Sequence, residues 1–526
     1  MVMKKFFAMC IHLISIFFAG FSLVHPLWSL CLYSSDTRKV NYRSSSKCPR
    51  TFTKVLTYRD GKLLSSEYLE IDRHTNHIKV SNTSIQRIPF ADADILYIHG
   101  LLGMALIVIK RSLLADDRFV WNAYLLSQLR STQHTSRFCL PVIHGFYGET
   151  RHCINGHQFK LSLISRRSKY RAGVRFYKRG VSMDGHPANF VETEQILRGS
   201  IPLLWSQRPN LKWQPTPTMK ANDDQLGAYV RHFENQRKTY GGNHVIVNLI
   251  SQAGREKKIG SELERIIKQA NLSFVRYNPF DFHKECQALQ WHRLSLLRDQ
   301  LRPEITKFGF FASSLEHAES DLTQRSQTGF FRTNCMDCLD RTNVVQAMIA
   351  RESLTEQLRY LKILAGDQRV ETWPELETSF KHLWADNGDE CSRQYAGTGA
   401  LKADFTRLGK RTYVGALNDC INAITRYFRN NFADGYRQDA MDVFLGNFVI
   451  DVNNLPDSLE ATLISLDQNG IALLAACFAM AMTILCILVA ENTPATLFWL
   501  AVFLVCMMFI FLNGEEFVNA PKLKKD

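Results

Sequence analysis

Two long apolar runs near the C-terminus constrain the fold of this chain more than any other feature. Residues 471–490 contain no charged side chain over 20 positions, and residues 495–512 add 18 more. Each run is about as long as a helix needs to be to cross a hydrocarbon core of ~30 Å. Only residues 491–494 separate them, so we predict a transmembrane hairpin at 471–512 with both flanks on one side. A buried hairpin of a soluble protein is disfavoured, because soluble core helices rarely run this far without a polar face.

A third apolar run, at residues 6–24, is ambiguous. It could be a signal peptide, a membrane span or a segment that never inserts. Two lysines precede it and five basic residues follow within 38–50, so the positive-inside bias places its C-terminal flank in the cytosol. We therefore predict either a third span with a lumenal N-terminus or no insertion. In both cases the sequons at Asn82 and Asn271 should stay unmodified, because glycosylation occurs in the lumen.

Composition restricts the class of partner. The chain has 526 residues and a formal net charge of +14, which favours an anionic partner: nucleic acid, a membrane surface or a phosphorylated substrate. Its thirteen cysteines are odd in number and scattered along the chain. That pattern indicates reduced thiols rather than a disulfide framework.

The region between the apolar ends predicts folded α/β structure. Residues 53–110 alternate apolar and polar side chains and are rich in β-branched types, which predicts a small β-rich unit. From residue 118 onward strand and helix patterns mix. Residues 244–250 indicate a buried strand and residues 263–270 a helix, so the expected class is an α/β catalytic domain.

The stretch RTNCMDCLDRTN at 332–343 concentrates the residue types that carry chemistry. Structural zinc needs four ligands, but Cys335 and Cys338 form the only C-x-x-C in the chain. A redox pair is disfavoured because Asp337 and Asp340 would raise a thiol pKa. The third interpretation is a phosphate-binding loop with the spacing C-x5-R, from Cys335 to Arg341.

The flanking patterns favour the phosphate-binding loop. An apolar stretch precedes Cys335 and suits a strand, and a long helix follows, with Thr342 or Asn343 as the expected N-cap. A strand, loop and helix N-terminus place backbone N–H groups and the positive end of the helix dipole around a phosphate dianion. Cys420 and Arg426 have the same spacing, but they lie in a continuous helical pattern that cannot wrap a phosphate.

This loop predicts phosphoryl transfer through cysteine. Arg341 and the helix N-terminus should stabilise Cys335 as a thiolate near neutral pH, and the thiolate then attacks phosphorus. Arg341 should hold two phosphate oxygens, while Asp340, or as second candidate Asp337, protonates the leaving oxygen. Neither a metal nor a cofactor is required. The substrate-binding residues predicted within the loop and helix start are Met336, Cys338, Leu339, Thr342 and Asn343.

The stretch 332–346 resembles the signature of the Sac-domain phosphoinositide phosphatases. Similar blocks occur at 165–196, 198–212, 280–286, 384–412 and 436–447, so the likeness covers most of the chain. The resemblance implies a β-sandwich-like subdomain packed on an α/β catalytic subdomain. It also implies hydrolysis of phosphatidylinositol 4-phosphate, with some activity on the 3-phosphate, to phosphatidylinositol. When the predicted hairpin is included, the chain resembles the membrane-anchored member of this family, which is found in the endoplasmic reticulum and Golgi.

The resemblance also implies the partners. The substrate is a phosphoinositide lipid of the cytosolic leaflet, the protein is integral to the membrane, and no nucleic acid is expected. In the basic run 166–179, Arg171 and Arg175 would share one face of a strand and attract the headgroup, unless the run is a solvated surface. The C-terminal residues Lys522 and Lys524 resemble a K-x-K-x-x retrieval signal read by a cytosolic coat; the alternative is an ordinary basic flank.

Six segments are expected, and two other functions stay open. The segments are the apolar N-terminal segment and basic linker at 1–50, the β-rich N-terminal part of the Sac domain at 51–117, the Sac catalytic domain at 118–450, a linker at 451–470, the transmembrane hairpin at 471–512 and a cytosolic tail at 513–526. The β-rich part at 51–117 is shorter than in the family that the chain resembles. The alternatives are a non-catalytic membrane tether that binds phosphoinositides and a protein phosphatase of the same C-x5-R mechanism.

Overall fold

The computed structural model describes four strands between residues 52 and 98, and then residues 117–129, 142–193, 196–220, 224–286, 293–312, 325–449, 468–490 and 493–523. Two compact units are distinguished by their contacts. The predictions for the N-terminal segment 1–50, which includes the apolar run 6–24, and for the sequon at Asn82 lie outside the described residues, as does most of the predicted linker 451–470.

The first unit contains a four-stranded sheet of order β3-β2-β1-β4. Its strands are β1 (Phe52–Arg59), β2 (Lys62–Asp72), β3 (Ile78–Ser81) and β4 (Asp94–Ile98). The β1–β2 and β2–β3 pairs are antiparallel, whereas β1 and β4 are parallel. The β-rich subdomain expected from the alternating pattern is therefore confirmed.

The second unit is built on a seven-stranded mixed sheet of order β12-β11-β13-β8-β7-β6-β5. Its strands are β5 (His144–Ile154), β6 (His157–Arg167), β7 (Val191–Thr193), β8 (Ile196–Arg198), β11 (Asn243–Asn248), β12 (Val275–Pro279) and β13 (Gly329–Asn334), and a separate pair is formed by β9 (Trp205–Ser206) and β10 (Thr218–Met219). The four strands from β12 to β8 are parallel, and the remaining pairs are antiparallel.

Helices pack on both faces of the parallel half of the sheet. In chain order, the helices described before the C-terminal apolar pair are α1 (Ala123–Leu129), α2 (Gln225–Tyr240), α3 (Lys257–Ala270), α4 (Phe282–Glu285), α5 (Leu294–Phe308), α6 (Asp340–Tyr360), α7 (Pro374–Ala396), α8 (Ala403–Leu408), α9 (Tyr413–Phe432) and α10 (Asp434–Phe444). On β11, Val247 packs into the core shared with α5, α6 and α7, and Ile246 packs into the core shared with α2 and α3. Burial on both faces explains the continuous apolar pattern of this strand and confirms the α/β class.

The carboxyl ends of the parallel strands position the site. Asn248 at the end of β11 lies opposite Asn334 at the end of β13, and β8 ends on the other side of β13. Ligands of open α/β sheets bind at this edge, outside the carboxyl ends of the strands. The fully buried Arg332 of β13 donates hydrogen bonds to the carbonyl oxygens of Gly199 (2.9 Å) and Ser200 (2.8 Å). It thereby ties the loop after β8 to the end of β13.

The two apolar C-terminal helices form a transmembrane hairpin. They are α11 (Gln468–Leu485), continued by a π-helical turn (Cys486–Ala490), and α12 (Thr493–Leu512). The mean hydropathy is 2.7 over 471–489 and 2.6 over 493–512, with few side chains buried. Phe478 and Trp499 pack edge to face between the helices, with ring centroids 5.5 Å apart. An outward surface this apolar suits lipid rather than water, which confirms the predicted hairpin.

Candidate active site

The predicted phosphate-binding loop joins β13 to α6 at the carboxyl edge of the sheet. Cys335 directly follows β13 and is only 3% exposed. Helix α6 begins at Asp340, with Leu339 as its N-cap and no side-chain cap bond. The prediction that Thr342 or Asn343 caps the helix is wrong. Helical hydrogen bonding starts earlier, because the Asn343 amide already donates to the Leu339 carbonyl oxygen at 2.8 Å.

Thr342 and Asn343 both turn into the protein. Thr342 is fully buried. The Asn343 side chain donates to the Trp384 carbonyl oxygen (2.7 Å) and accepts from the Asn387 amide (3.2 Å). The Asn343 side chain therefore anchors α6 to the body of the domain, whereas the Thr342 hydroxyl is buried without a hydrogen-bond partner among the described residues.

Cys338 shapes the loop. Its backbone φ of +53° lies in the left-handed region, which non-glycine residues adopt rarely. Its thiol donates to the Gly199 carbonyl oxygen (2.8 Å) and accepts from the Cys335 amide (3.3 Å). Both cysteines are free thiols, and the contacts of Cys338 hold the loop in a tight curve rather than pairing it with Cys335.

Asp337 is clamped by two arginines. Arg175 donates to it through Nε (3.0 Å) and Nη2 (2.7 Å), and Arg179 donates through Nη2 (2.6 Å). Asn189 adds a bond to the Asp337 carbonyl oxygen at 3.2 Å. Burial alone would raise the pKa of Asp337, but the two guanidinium groups lower it well below its usual range. A carboxylate held this firmly in its ionised form is poorly suited to donate a proton.

Asp340 has the opposite electrostatic environment. One carboxylate oxygen accepts from the Leu401 amide at 3.0 Å. Burial raises the pKa of Asp340, and the charge of Arg426 opposes the rise only in part. Arg426 itself lies within α9, where it is buried and donates to Thr398 (2.9 Å). The helix predicted around Cys420 and Arg426 is therefore confirmed. Of the two acid candidates, Asp340 is the one whose surroundings favour a protonated carboxyl.

Arg341 is oriented by a carboxylate from the segment that follows β11. Its guanidinium makes a two-point contact with Glu256, with Nη1 at 3.0 Å and Nη2 at 2.7 Å, and donates to the Leu249 carbonyl oxygen at 3.2 Å. Glu256 lies in a short 3-10 turn that follows β11 and also accepts from the Ser251 amide at 2.6 Å. The sequence pattern did not single out Glu256. The available signal was an acidic residue shortly after a buried parallel strand.

The protonation state of Cys335 differs from the expectation. Burial raises the pKa of its thiol to about 12, although the charge of Arg341 lowers it in part. The neighbouring groups Cys338, Glu256 and Asp337 add to the rise. This arrangement favours the thiol over the thiolate predicted near neutral pH, because burial and the neighbouring Glu256 and Asp337 outweigh the charge of Arg341.

The basic run does not form an exposed strand face. Residues 168–190 form an irregular loop after β6. Arg171 donates twice to the Arg179 carbonyl oxygen, at 3.0 and 2.6 Å, while Arg175 pairs with Asp337. The predicted headgroup contact of Arg171 and Arg175 is therefore replaced by contacts within residues 171–179 and with the predicted phosphate-binding loop. Their side chains are engaged because the chain turns back on itself here instead of extending.

The remaining loop residues are buried. Met336 is 9% exposed, and its carbonyl oxygen accepts from Nη1 of Arg179 at 2.8 Å. Leu339 is 3% exposed and packs with Val191, Cys391 and Tyr395. Both side chains pack into buried apolar clusters of the domain. Only the backbone of these two residues is therefore available to contact a bound phosphate.

Comparisons with known proteins agree with the motif. Residues 80–287 match the family model described as the SacI homology domain. The chain is 44% identical over 427 residues to phosphatidylinositol-3-phosphatase SAC1-B of Danio rerio, covering 78% of this chain and 72% of that protein. Similar coverage, 78% and 71%, accompanies 42% identity to the SAC1 protein of Drosophila melanogaster. The SAC1 protein of Saccharomyces cerevisiae is 38% identical over 442 residues, with 78% and 70% covered.

Proposed function

Since the chain belongs to the Sac family of phosphoinositide phosphatases, we propose that it converts phosphatidylinositol 4-phosphate to phosphatidylinositol, with some activity on the 3-phosphate. The observation that carries this proposal is the loop at the carboxyl edge of the sheet, where Cys335 is followed by Arg341 and Arg341 is oriented by Glu256. The names of the SAC1 relatives support a phosphoinositide substrate that carries a 3-phosphate. The preference for the 4-phosphate rests on the resemblance of the motif.

The first chemical step is attack by sulfur on phosphorus. A bond forms between Cys335 Sγ and phosphorus while the bond from phosphorus to the inositol oxygen breaks. Arg341, held by Glu256, presents two N–H groups to equatorial oxygens of the transferring group. Asp340, whose raised pKa favours the protonated form, gives its proton to the leaving inositol oxygen.

Deprotonation of Cys335 is coupled to substrate binding in this proposal. The thiol is the resting form, because burial raises its pKa to about 12. A phosphate dianion bound against Arg341 and the start of α6 can accept the thiol proton, which leaves the thiolate beside a monoanionic phosphate. This order avoids two adjacent anions in a buried site, which would be costly.

The second step regenerates the enzyme. Water attacks the phosphocysteine, the bond between sulfur and phosphorus breaks, and the Asp340 carboxylate takes a proton from the water. The phosphate group returns to the Cys335 sulfur the proton that it accepted before the first step, which restores the thiol, and inorganic phosphate leaves as the dianion. In this scheme Asp337 does not transfer protons; with Arg175 and Arg179 it holds the loop in shape.

We also propose where the reaction takes place. The hairpin anchors the chain in a membrane, and the charge bias around residues 6–24 supports a cytosolic catalytic domain. The tail lysines Lys522 and Lys524 support residence in the endoplasmic reticulum membrane with cycling through the Golgi, by recognition of the tail by a cytosolic coat. The substrate is then a lipid of the cytosolic leaflet.

The test is phosphate release by the full chain from short-chain phosphoinositides and phosphotyrosine peptides, with and without chelator. We expect release from the 4-phosphate first and the 3-phosphate second, unaffected by chelator. Cys335→Ser should abolish turnover, whereas Cys338→Ser, as the matched control, should retain more activity. Equal loss at both positions would contradict the nucleophile assignment. A preference for the peptides would support a protein phosphatase, and binding without release would support the tether.

A further inference from the structure

Helix α9 buries its polar face and exposes its apolar face, which is the opposite of a helix that covers the core of a soluble protein. Its buried side is polar and includes Arg426 and Asn430. Its exposed side carries an apolar row, the α9 stripe, which consists of Val414 (70% exposed), Leu417 (62%), Ile421 (54%), Ile424 (48%) and Phe428 (48%). The alternating spacings of three and four residues place these side chains on one face of the helix.

The orientation of α9 is fixed by its polar side. Arg426 donates to Thr398 Oγ1 (2.9 Å) and to the Gly399 carbonyl oxygen (2.8 Å). Asp419 accepts from Arg411 at 2.6 Å. Rotating the helix to bury the stripe would break these contacts and leave buried polar groups unpaired, which is costly. The outward direction of the stripe is therefore built into the fold.

The chain that leaves the membrane hairpin packs directly against the C-terminal end of α9. The Asn519 amide donates to the Asn431 carbonyl oxygen at 2.7 Å, and the Tyr177 hydroxyl donates to the Asn519 carbonyl oxygen at 2.6 Å. Closer to the membrane, a Cβ added at Gly514 would lie 2.3 Å from the carbonyl oxygen of Asn210. Since α12 ends at Leu512, the bilayer must begin within a few residues' reach of this contact.

An exposed tryptophan extends the apolar surface beside α9. Trp213 is 59% exposed and stacks on Tyr427, with ring centroids 5.3 Å apart. The Tyr427 hydroxyl also donates to the Leu211 carbonyl oxygen at 2.8 Å. Trp213 lies two residues beyond Leu211, which Gly514 approaches together with Asn210. Tryptophan is enriched at membrane–water interfaces.

We propose that the α9 stripe and Trp213 lie in the interfacial layer of the same bilayer that holds the hairpin. An interfacial helix buries its apolar face at the boundary between headgroups and acyl chains, and the hairpin already brings that boundary to the C-terminal end of α9. The polar side of α9 contacts the Gly399 region, next to the Leu401 amide that binds Asp340. Seating α9 on the bilayer therefore holds the catalytic loop close to the lipid surface, a consequence that rests on the proposed function.

The test places an environment-sensitive fluorescent amino acid at Ile421 or Ile424 of the full chain, reconstituted in vesicles of phosphatidylcholine with brominated acyl chains. We expect emission to fall by about twofold relative to unbrominated vesicles, as for a group buried in the interfacial layer. The control position is Leu361, which is 45% exposed at the end of α6, and its emission should not change. Equal emission in both kinds of vesicle at Ile421 and Ile424 would overturn the proposal. So would cross-linking of Ile421 to a second copy or to residues 450–467 in place of quenching.

Activity gives a second, separable measurement. The double variant Leu417→Asp with Ile421→Asp should lose about tenfold in turnover of phosphatidylinositol 4-phosphate embedded in vesicles, because charged side chains resist the interfacial layer. Hydrolysis of the short-chain soluble analogue should stay within about twofold, and Asn418→Asp, on the same helix beside the stripe, should behave as the parent. Loss on both substrates, or on neither, would count against the bilayer contact. If the parent hydrolyses neither substrate, the proposed function fails while the quenching result still decides the contact.

Discussion

Replacing Asp337 with asparagine tests whether this residue clamps the catalytic loop or donates a proton. The carboxylate accepts three charge-assisted bonds, two from Arg175 and one from Arg179, at 2.6–3.0 Å. Asparagine keeps one acceptor oxygen and turns an NH2 group toward the guanidinium groups. Each bond to a charged group contributes ~1.5–3 kcal/mol. Removing one partner of a fully buried ion pair costs ~3–5 kcal/mol, and the lower end of that range applies here because the Asp337 side chain is 23% exposed. We expect Asp337→Asn to destabilise the closed loop by about 3 kcal/mol.

Hydrogen exchange of peptides covering 332–341, read by mass spectrometry on the full chain, measures this cost. A loss of about 3 kcal/mol raises by ~10²-fold the fraction of molecules in which the loop's hydrogen bonds are broken, so exchange of these peptides should be faster. Turnover should fall by the same factor for substrates with good and with poor leaving groups. Asp340→Asn is the matched control, because the Asp340 carboxylate accepts a hydrogen bond from the Leu401 amide, worth ~1 kcal/mol, and none from a guanidinium group of the described residues. Combining Asp337→Asn with Arg175→Gln should cost less than the sum of the two single changes, since the residues interact directly.

The clamp also has a defined pH dependence. The pKa of Asp337 is lowered in the folded protein, so its stabilising effect is fully present above the unfolded value of about 3.9. The effect is lost as the pH falls below that value toward the folded pKa. If Asp337→Asn left exchange of the loop unchanged and removed only the pH dependence of turnover, Asp337 would be the proton donor and the reasoning would be refuted.

Four further predictions concern the proton donor, the phosphate ligand, the C-terminal tail and the side of the membrane on which the domain lies. Asp340→Asn should lower kcat by ~10²-fold and remove the alkaline limb of the pH profile; because the pKa of Asp340 is raised, the parent's limb should lie above the ordinary range of a carboxyl, and an unchanged limb would exclude Asp340. Arg341→Lys should lose at least ~10²-fold in rate, since lysine lacks the planar fork that Glu256 orients; an unchanged rate in phosphate-release assays would mean that Arg341 does not bind phosphate. Replacing Lys522 and Lys524 with alanine should move the protein from the endoplasmic reticulum toward the Golgi in cell imaging, and an unaltered distribution would reduce the tail to a basic flank. The exposed Asn271 should carry no glycan in cells; a mobility shift on deglycosylase treatment would place the domain in the lumen.

The sequence by itself determined the features that depend on neighbouring residues. The hairpin follows from the length and apolarity of two adjacent runs, which α11 and α12 confirm. The strand, loop and helix around Cys335 also lie within one continuous stretch, from β13 at Gly329–Asn334 to α6 at Asp340–Tyr360. Their order could be predicted because periodicity changes along the chain where one element ends and the next begins.

Only the tertiary structure decided which side chains meet around that loop. Glu256 is 85 residues from Arg341 in sequence, and Arg175 is 162 residues from Asp337. Glu256 follows β11 and Arg175 follows β6. Both strands run in the same direction as β13, so all three end at one edge of the sheet. The roles of Asp337 and Asp340 likewise depend on distant partners, since a pKa reflects burial and nearby charge rather than local pattern. The outward-facing stripe of α9 has the same origin: a helical period reveals two faces, but only the packed polar partners of Arg426 show which one is buried.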